Sequence, residues 1–195
     1  MDIWWRTLAA DPDSPPAVSD EARGLLRGVL RRYLDEAPEA IRLVEGPHGK
    51  PAIEGPAPVS FNFSHSGRAA VFAVAGCAPV GVDCEAVIFT EDLGGVAEIS
   101  CSAAEREWLA ADGEGEFTER FFRLWTRKEA VIKAVGLGLS LPVSEIGVLG
   151  EGLTRVAVPG HGPWWVTTID APAGYAAACA SDAPFIPDRV APSGG

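Results

Sequence analysis

The chain is short of cations and of long apolar runs, and each shortage argues against a class of protein. Lysine and arginine number 16 against 27 aspartates and glutamates, a formal net charge of −11. Nucleic acid is a poor partner for such a chain, because phosphate backbones require a basic surface. No stretch reaches the ~18–20 apolar residues of a membrane span, and the opening MDIWWRTLAADPDSPP has neither the basic start nor the apolar run of a secretory signal. The expectation is a soluble cytoplasmic protein without membrane attachment. Cysteine is scarce: Cys77, Cys84, Cys101 and Cys179 never fall in C-x-x-C spacing. That argues against a zinc knuckle or a thioredoxin-like motif and for buried free thiols. Neither the P-loop pattern nor G-x-G-x-x-G occurs, so the familiar nucleotide-binding folds are not indicated.

What is present is a chain of 195 residues, 47% apolar, enough for one large or two small domains. Residues 2–8 suggest a short strand, and ADPDSPP a connector. A helix is expected from Ser19, as N-cap, to Asp35, because Ala22, Leu25, Leu26, Val29, Leu30 and Tyr33 recur at helical spacing. EGPHGKP is loop chemistry. VSFNFSHSG, AAVFAVAG and VGVDCEAV read as three strands with short connections, the middle one apolar throughout. Ser102 and Glu105 form a capping-box pattern. A strong helix is expected over Phe117–Val135 with Gly136 closing it, and WWVTTID with GYAAACA reads as a hairpin. The fold class is therefore α+β, in two halves of helices plus about three strands, with a cleft between them. The halves are expected at 1–82 and 83–182, followed by an irregular tail at 183–195.

VGVDCEAV poses a physical problem. Side chains alternate faces along a strand, so Val80, Val82 and Cys84 share one side and Gly81, Asp83 and Glu85 the other. The first set suits a core. The second puts two carboxylates at neighbouring positions, where they repel unless water, a proton or a cation intervenes. A solvated face would suffice, but so would a hard divalent cation, which prefers carboxylate oxygens. The helix FTERFFRLWTRKEAVIKAVGLGLSLP sharpens the choice. It carries Arg120, Arg123, Arg127, Lys128 and Lys133 against Glu119 and Glu129. Trp125, Glu129 and Lys133 are four residues apart and share one face, with Lys128 beside them. Carboxylates for a metal and lysines for phosphate oxygens, joined by Ser64 and His65, expected on the turn that ends VSFNFSHSG, and by Lys50, are the tools of phosphoryl chemistry.

HGKP, FNFSHSG, VGVDCE and FRLWTRKEAVIKAVGLGLSLP, in this order and spacing, resemble the Sfp-type 4′-phosphopantetheinyl transferases. The resemblance runs from about Ser19 to Ala180, and its two central motifs are specific only in combination. It implies an intramolecular pseudo-dimer of two similar α+β halves with the active site in the cleft. It also implies transfer of 4′-phosphopantetheine from coenzyme A to a serine of an acyl or peptidyl carrier protein, with release of 3′,5′-ADP. By position, the resemblance makes Asp83, Glu85 and Glu129 the ligands of Mg²⁺, or of Mn²⁺. It makes Glu129, Lys133 and His65 catalytic. Arg23, Gly49, Lys50, Pro51, Ser64, His65, Lys128 and Lys133 would bind coenzyme A, with Lys128 and Lys133 near the diphosphate and Gly49 to Pro51 around the adenosine. The carriers implied are those of polyketide, peptide or fatty-acid synthesis, and a monomer would suffice.

The resemblance has one gap. Family members carry a basic helix ahead of the first conserved helix, whereas residues 9–22 here hold no lysine or arginine. Arg23 and Lys50 would then hold the 3′-phosphate, and dependence on it should be weaker. Carriers are typically acidic, as is this chain, so recognition should rest on an apolar patch, for which Phe117 to Phe122 with Arg120 and Arg123 are candidates. Two other readings compete: a non-catalytic module that binds coenzyme A or a carrier, and a different metal-dependent phosphoryl-transfer enzyme or hydrolase.

Overall fold

The computed structural model describes residues 1–46, 48–111 and 114–190. Pro47 of the EGPHGKP loop and residues 191–195 of the expected tail lie outside the described residues. In chain order the first part comprises β1 (Asp2–Thr7), α1 (Pro15–Leu30), β2 (Leu43–Glu45), β3 (Pro51–Ile53), β4 (Ser60–Ser66) and β5 (Ala69–Ala75). The second comprises β6 (Val80–Ala86), α2 (Leu93–Ser100), α3 (Ala103–Ala110), α4 (Glu114–Val135), β7 (Thr154–Val158), β8 (Gly162–Thr168), β9 (Tyr175–Ser181) and β10 (Asp188–Arg189). The fold is α+β. No helix among the described residues is long and apolar enough to cross a membrane.

Two four-stranded sheets carry the architecture, ordered β10-β1-β5-β4 and β6-β9-β8-β7, and β2 and β3 form a separate hairpin. Strand alternation builds the layers. Ala70, Phe72 and Val74 of β5 face α1, which lays Val18, Ala22, Leu26, Val29 and Leu30 against them. Val71 and Ala73 point the other way and meet Val80, Val82 and Cys84 of β6 and Ala177 and Cys179 of β9. The two sheets thus share an inner core while α1 covers one outer face. The other outer face is covered by α2, α3 and α4, through residues such as Leu109, Phe121, Leu124, Val131 and Ile132. The apolar set of VGVDCEAV is core, with Cys84 fully buried.

Where β4 meets β6, side chains take over from a backbone ladder. Asn62 Oδ1 accepts from the Val82 N–H at 2.9 Å, and Ser66 Oγ accepts from the Ala86 N–H at 3.0 Å. Polar residues alternating along FNFSHS therefore satisfy the edge of the second sheet.

Several boundaries depart from expectation. The first helix begins at Pro15 behind Ser14, because Pro15 and Pro16 occupy the first helical turn, where a missing N–H is harmless. It ends at Leu30, five residues early. Ser64 and His65, expected on a turn, lie within β4. The division expected at 82/83 cuts β6, which pairs with β9 along its whole length. The turn before Val80 is the break that the sheets support. Residues 188–189 of the expected irregular tail form β10 and run parallel to β1. Three strands (β2, β3, β7) and α2 had no clear signal.

Candidate active site

A cavity of about 640 Å³ opens at the β4–β6 junction beneath α4. Ser64 and His65 reach it from β4, Asp83 and Glu85 from β6, and Trp125, Glu129 and Lys133 from α4. Arg23 of α1 and the loop residues Gly49, Lys50 and Pro51 complete the rim. The four-residue spacing places Trp125, Glu129 and Lys133 on one helical face, as the sequence indicates.

The strand and the helix approach closely because residue 81 is glycine. A Cβ there would overlap the Ala130 carbonyl oxygen and the Ala134 backbone nitrogen. Asp83, on the same side of β6 and one pleat further along, is consequently held under α4 and only 2% exposed.

Asp83 is the electrostatic centre. Its Oδ1 accepts from Lys133 Nζ at 2.6 Å and from Ser64 Oγ at 2.8 Å, and Lys133 Nζ also donates to Ser64 Oγ at 3.0 Å. Its Oδ2 is buried and has no hydrogen-bond partner among the described residues. Burial pushes the Asp83 carboxyl up against the pull of Lys133. Glu85 and Glu129 are also pushed up, first by burial and then by the charge of Asp83. The Asp83 charge therefore raises the cost of ionising both Glu85 and Glu129 around a single cavity, and Glu129 adds to that of Glu85. Burial, then Lys133, lowers the pKa of His65 and favours the neutral imidazole. Burial lowers Lys50 to about 8, so at neutral pH its ammonium persists and donates to the carbonyls of Val80 (2.9 Å) and Ala134 (3.3 Å). Lys50 thereby ties the Gly-Lys-Pro loop to the C-terminal end of α4 and to the start of β6.

The donor chemistry suits a hard cation. An orphaned, buried carboxylate oxygen and two further strained carboxyls offer oxygen ligands only. Among the described residues, no three acidic, histidine or cysteine side chains are grouped tightly enough to hold an ion alone.

One expected residue is elsewhere. Lys128 has no exposed side-chain surface and does not line the cavity; it pairs with the equally buried Glu105 at 2.8 Å. Its Nζ also donates to the carbonyls of Val143 (3.0 Å) and Ile146 (2.7 Å). One residue along a helix is a turn of ~100°, which takes Lys128 off the face that carries Glu129. Glu105 in turn accepts from the N–H groups of Ser102, at 2.7 Å, and Val148, at 2.9 Å, so the capping box of α3 is wired to α4. The capping-box pattern was visible; its buried partner was not. Asn62 and His48 also line the cavity without having been singled out. The alternation in FNFSHS, with Asn62 in step with Ser64 and Ser66, was the available signal for Asn62.

A family profile described as the 4′-phosphopantetheinyl transferase superfamily matches residues 79–180. The chain is 32% identical over 171 residues to 4′-phosphopantetheinyl transferase Sfp of Bacillus subtilis (strain 168), covering 85% of this chain and 74% of that one. The chain belongs to the 4′-phosphopantetheinyl transferase superfamily. A second Bacillus subtilis 4′-phosphopantetheinyl transferase is 35% identical over 165 residues, 83% of this chain and 72% of its own. 4′-Phosphopantetheinyl transferase HetI of a Nostoc species is 34% identical over 121 residues, 60% of this chain and 51% of its own. The family profile opens at residue 79, the turn before β6, and takes in Asp83, Glu85, Glu129 and Lys133. In this phosphopantetheinyl transferase the remaining cavity wall, from Arg23 to His65, comes from the chain ahead of that match.

Proposed function

We propose that this chain transfers 4′-phosphopantetheine from coenzyme A to a serine hydroxyl of an acyl or peptidyl carrier protein. The observation that carries the reading is the convergence on one cavity of Asp83, Glu85, Glu129, Lys133, Ser64, His65, Lys50 and Arg23. They come from five separated stretches of sequence. The two α+β halves, divided at the turn before β6, both contribute, and one chain supplies the whole wall, so a monomer suffices.

The chemistry is a displacement at the β-phosphorus of coenzyme A. The serine Oγ forms a bond to phosphorus, the bond to the 3′,5′-ADP oxygen breaks, and the serine proton leaves to a base. Glu129, on the cavity wall one helical turn from Lys133, is that base, directly or through a metal-bound water. Lys133, already shared between Asp83 and Ser64, offers its ammonium to the diphosphate oxygens. Neutral His65 hydrogen-bonds a phosphate oxygen rather than pairing with it by charge. Asp83, Glu85 and Glu129 would hold Mg²⁺, with Mn²⁺ able to replace it. The ion would neutralise phosphate charge in the transition state. Lys50 shapes the loop beside the adenosine, and Arg23 with His48 meets the 3′-phosphate. Because Arg23 is already paired with Glu45 at 3.0 Å on the surface, the 3′-phosphate adds little, and dephospho-CoA should serve as donor within about tenfold of CoA, a difference of ~1.4 kcal/mol.

The carrier surface moves from its expected place. Phe121 is buried, and Phe117 and Phe122 pack on the core of the second half. Exposed apolar side chains occur instead at Ile88 and Phe89, which follow β6 directly, and at Ile99 of α2. These exposed side chains are the ones proposed to meet the carrier. The decisive experiment incubates the protein with CoA, Mg²⁺ and an apo carrier domain and weighs the carrier intact. A gain of one phosphopantetheine, absent with Asp83→Ala or a chelator, is the expected result. CoA binding without any gain across several carriers would favour the non-catalytic module.

A further inference from the structure

The face of α4 opposite Trp125, Glu129 and Lys133 presents Arg123 and Arg127 to a second, smaller cavity of about 200 Å³. Trp108, Leu149, Gly150 and Glu151 contribute to its wall. Arg127 is 2% exposed. Its Nε donates to the Val148 carbonyl at 2.9 Å, and its two terminal nitrogens donate to Thr154 Oγ1 at 2.8 Å and Thr168 Oγ1 at 3.4 Å. Every acceptor is neutral. Among the described residues neither Arg127 nor Arg123 has a carboxylate within ion-pair distance. Burial, then repulsion from Arg123, lowers the Arg127 pKa to about 10, which still leaves it a cation at pH 7. A buried cation without a counter-charge is costly, and a guanidinium uses only part of its donor fork on three neutral acceptors.

We propose that this cavity binds a small inorganic oxyanion, phosphate or sulfate, between Arg127 and Arg123. The remaining N–H groups of two arginines match the fork geometry that oxyanions take. The volume sets the size of the ligand. It equals roughly six to seven waters at ~30 Å³ each, which admits an oxyanion with residual water and falls short of the ~300–1,000 Å³ of drug-sized or nucleotide sites. Glu151, exposed on the rim, places a negative charge that opposes an anion there. The site lies away from the acidic cavity and does not rest on the transfer reaction.

The test is thermal unfolding of the full chain in phosphate or sulfate against chloride at matched ionic strength. A ligand that binds only the folded state raises the midpoint. The expected result is a rise for the wild type, its loss in the surface variant Arg123→Ala, and a several-fold lower phosphate concentration for the same rise in Glu151→Gln. Arg127→Met should also be indifferent to phosphate; should it fail to fold, Arg123→Ala still decides. Phosphate occupying the acidic cavity would leave the response intact in Arg123→Ala. That result, or no response in the wild type, overturns the proposal.

Discussion

At the scale of single residues, Lys128 and Lys133 look alike in sequence and differ in kind in the structure. Lys133 shares Asp83 with Ser64 at the cavity, whereas Lys128 is sealed against Glu105. Lys133→Met should lower turnover ~10²–10³-fold, the usual loss for one preorganised electrostatic group, and it also leaves the buried Asp83 carboxylate with Ser64 as its side-chain partner. Lys128→Met should lower stability alone. It leaves the Glu105 charge buried without its partner, a loss of ~3–5 kcal/mol, while the folded fraction keeps its turnover. Denaturant unfolding and single-turnover transfer on the same samples separate the two. A second residue-scale prediction concerns Tyr33. Its hydroxyl donates to Asp2 at 2.6 Å and accepts from Trp4 Nε1 at 2.8 Å, and burial, then Asp2, raises its pKa to about 12. A phenol raised in the folded state contributes stability that is full below the unfolded value of ~10 and is lost as pH climbs through the folded value. The wild type should therefore lose more stability than Tyr33→Phe between pH 10 and 12, read as the difference in midpoints.

At the scale of elements, the packing of α4 on β6 determines the site. Gly81 permits it, since a Cβ would meet the backbone of Ala130 and Ala134. Backbone cannot rotate aside as a side chain can, so Gly81→Ala should cost at least the ~1–3 kcal/mol of ordinary overpacking. It should also move Asp83 away from Lys133. The expected outcome is a lower midpoint together with loss of the stabilisation that Mg²⁺ at the proposed site would confer on the wild type. A Gly81→Ala protein with unaltered Mg²⁺ response would show that the site does not depend on this contact. The helix itself was legible from its pattern: Val131, Ile132 and Leu124 recur toward the core, and Gly136, at φ 82°, ends it where expected. The short β2–β3 hairpin was not legible, because three-residue strands carry too few alternations to separate from loop.

At the scale of the whole molecule, charge governs encounter. A chain of net −11 and an acidic carrier repel at long range, and salt screens that repulsion over a Debye length of ~8–10 Å. Carrier turnover per encounter, kcat/KM, should rise from low to moderate salt, contrary to electrostatically steered pairs. A steady fall over the same range would mean that a local basic patch outweighs the net charge. The two sheets, joined through a shared apolar core and through Asn62 and Ser66, present their acidic cavity at the junction.

Taken alone, the sequence determined which residue types were available for phosphoryl chemistry and which faces of the long helix and of VGVDCEAV they occupied. Those are consequences of local periodicity, 3.6 in a helix and 2 in a strand. It also determined, through four motifs in order, the family to which the chain belongs. Only the tertiary structure decided that Lys128 turns inward to Glu105, that Arg127 is buried with no carboxylate in reach among the described residues, and that the Phe117–Phe122 aromatics pack on the core rather than forming a docking face. Each of those outcomes depends on a partner far away in sequence, with Glu105 and Lys128 more than twenty residues apart. No local pattern encodes what a side chain will meet when a second element packs over it.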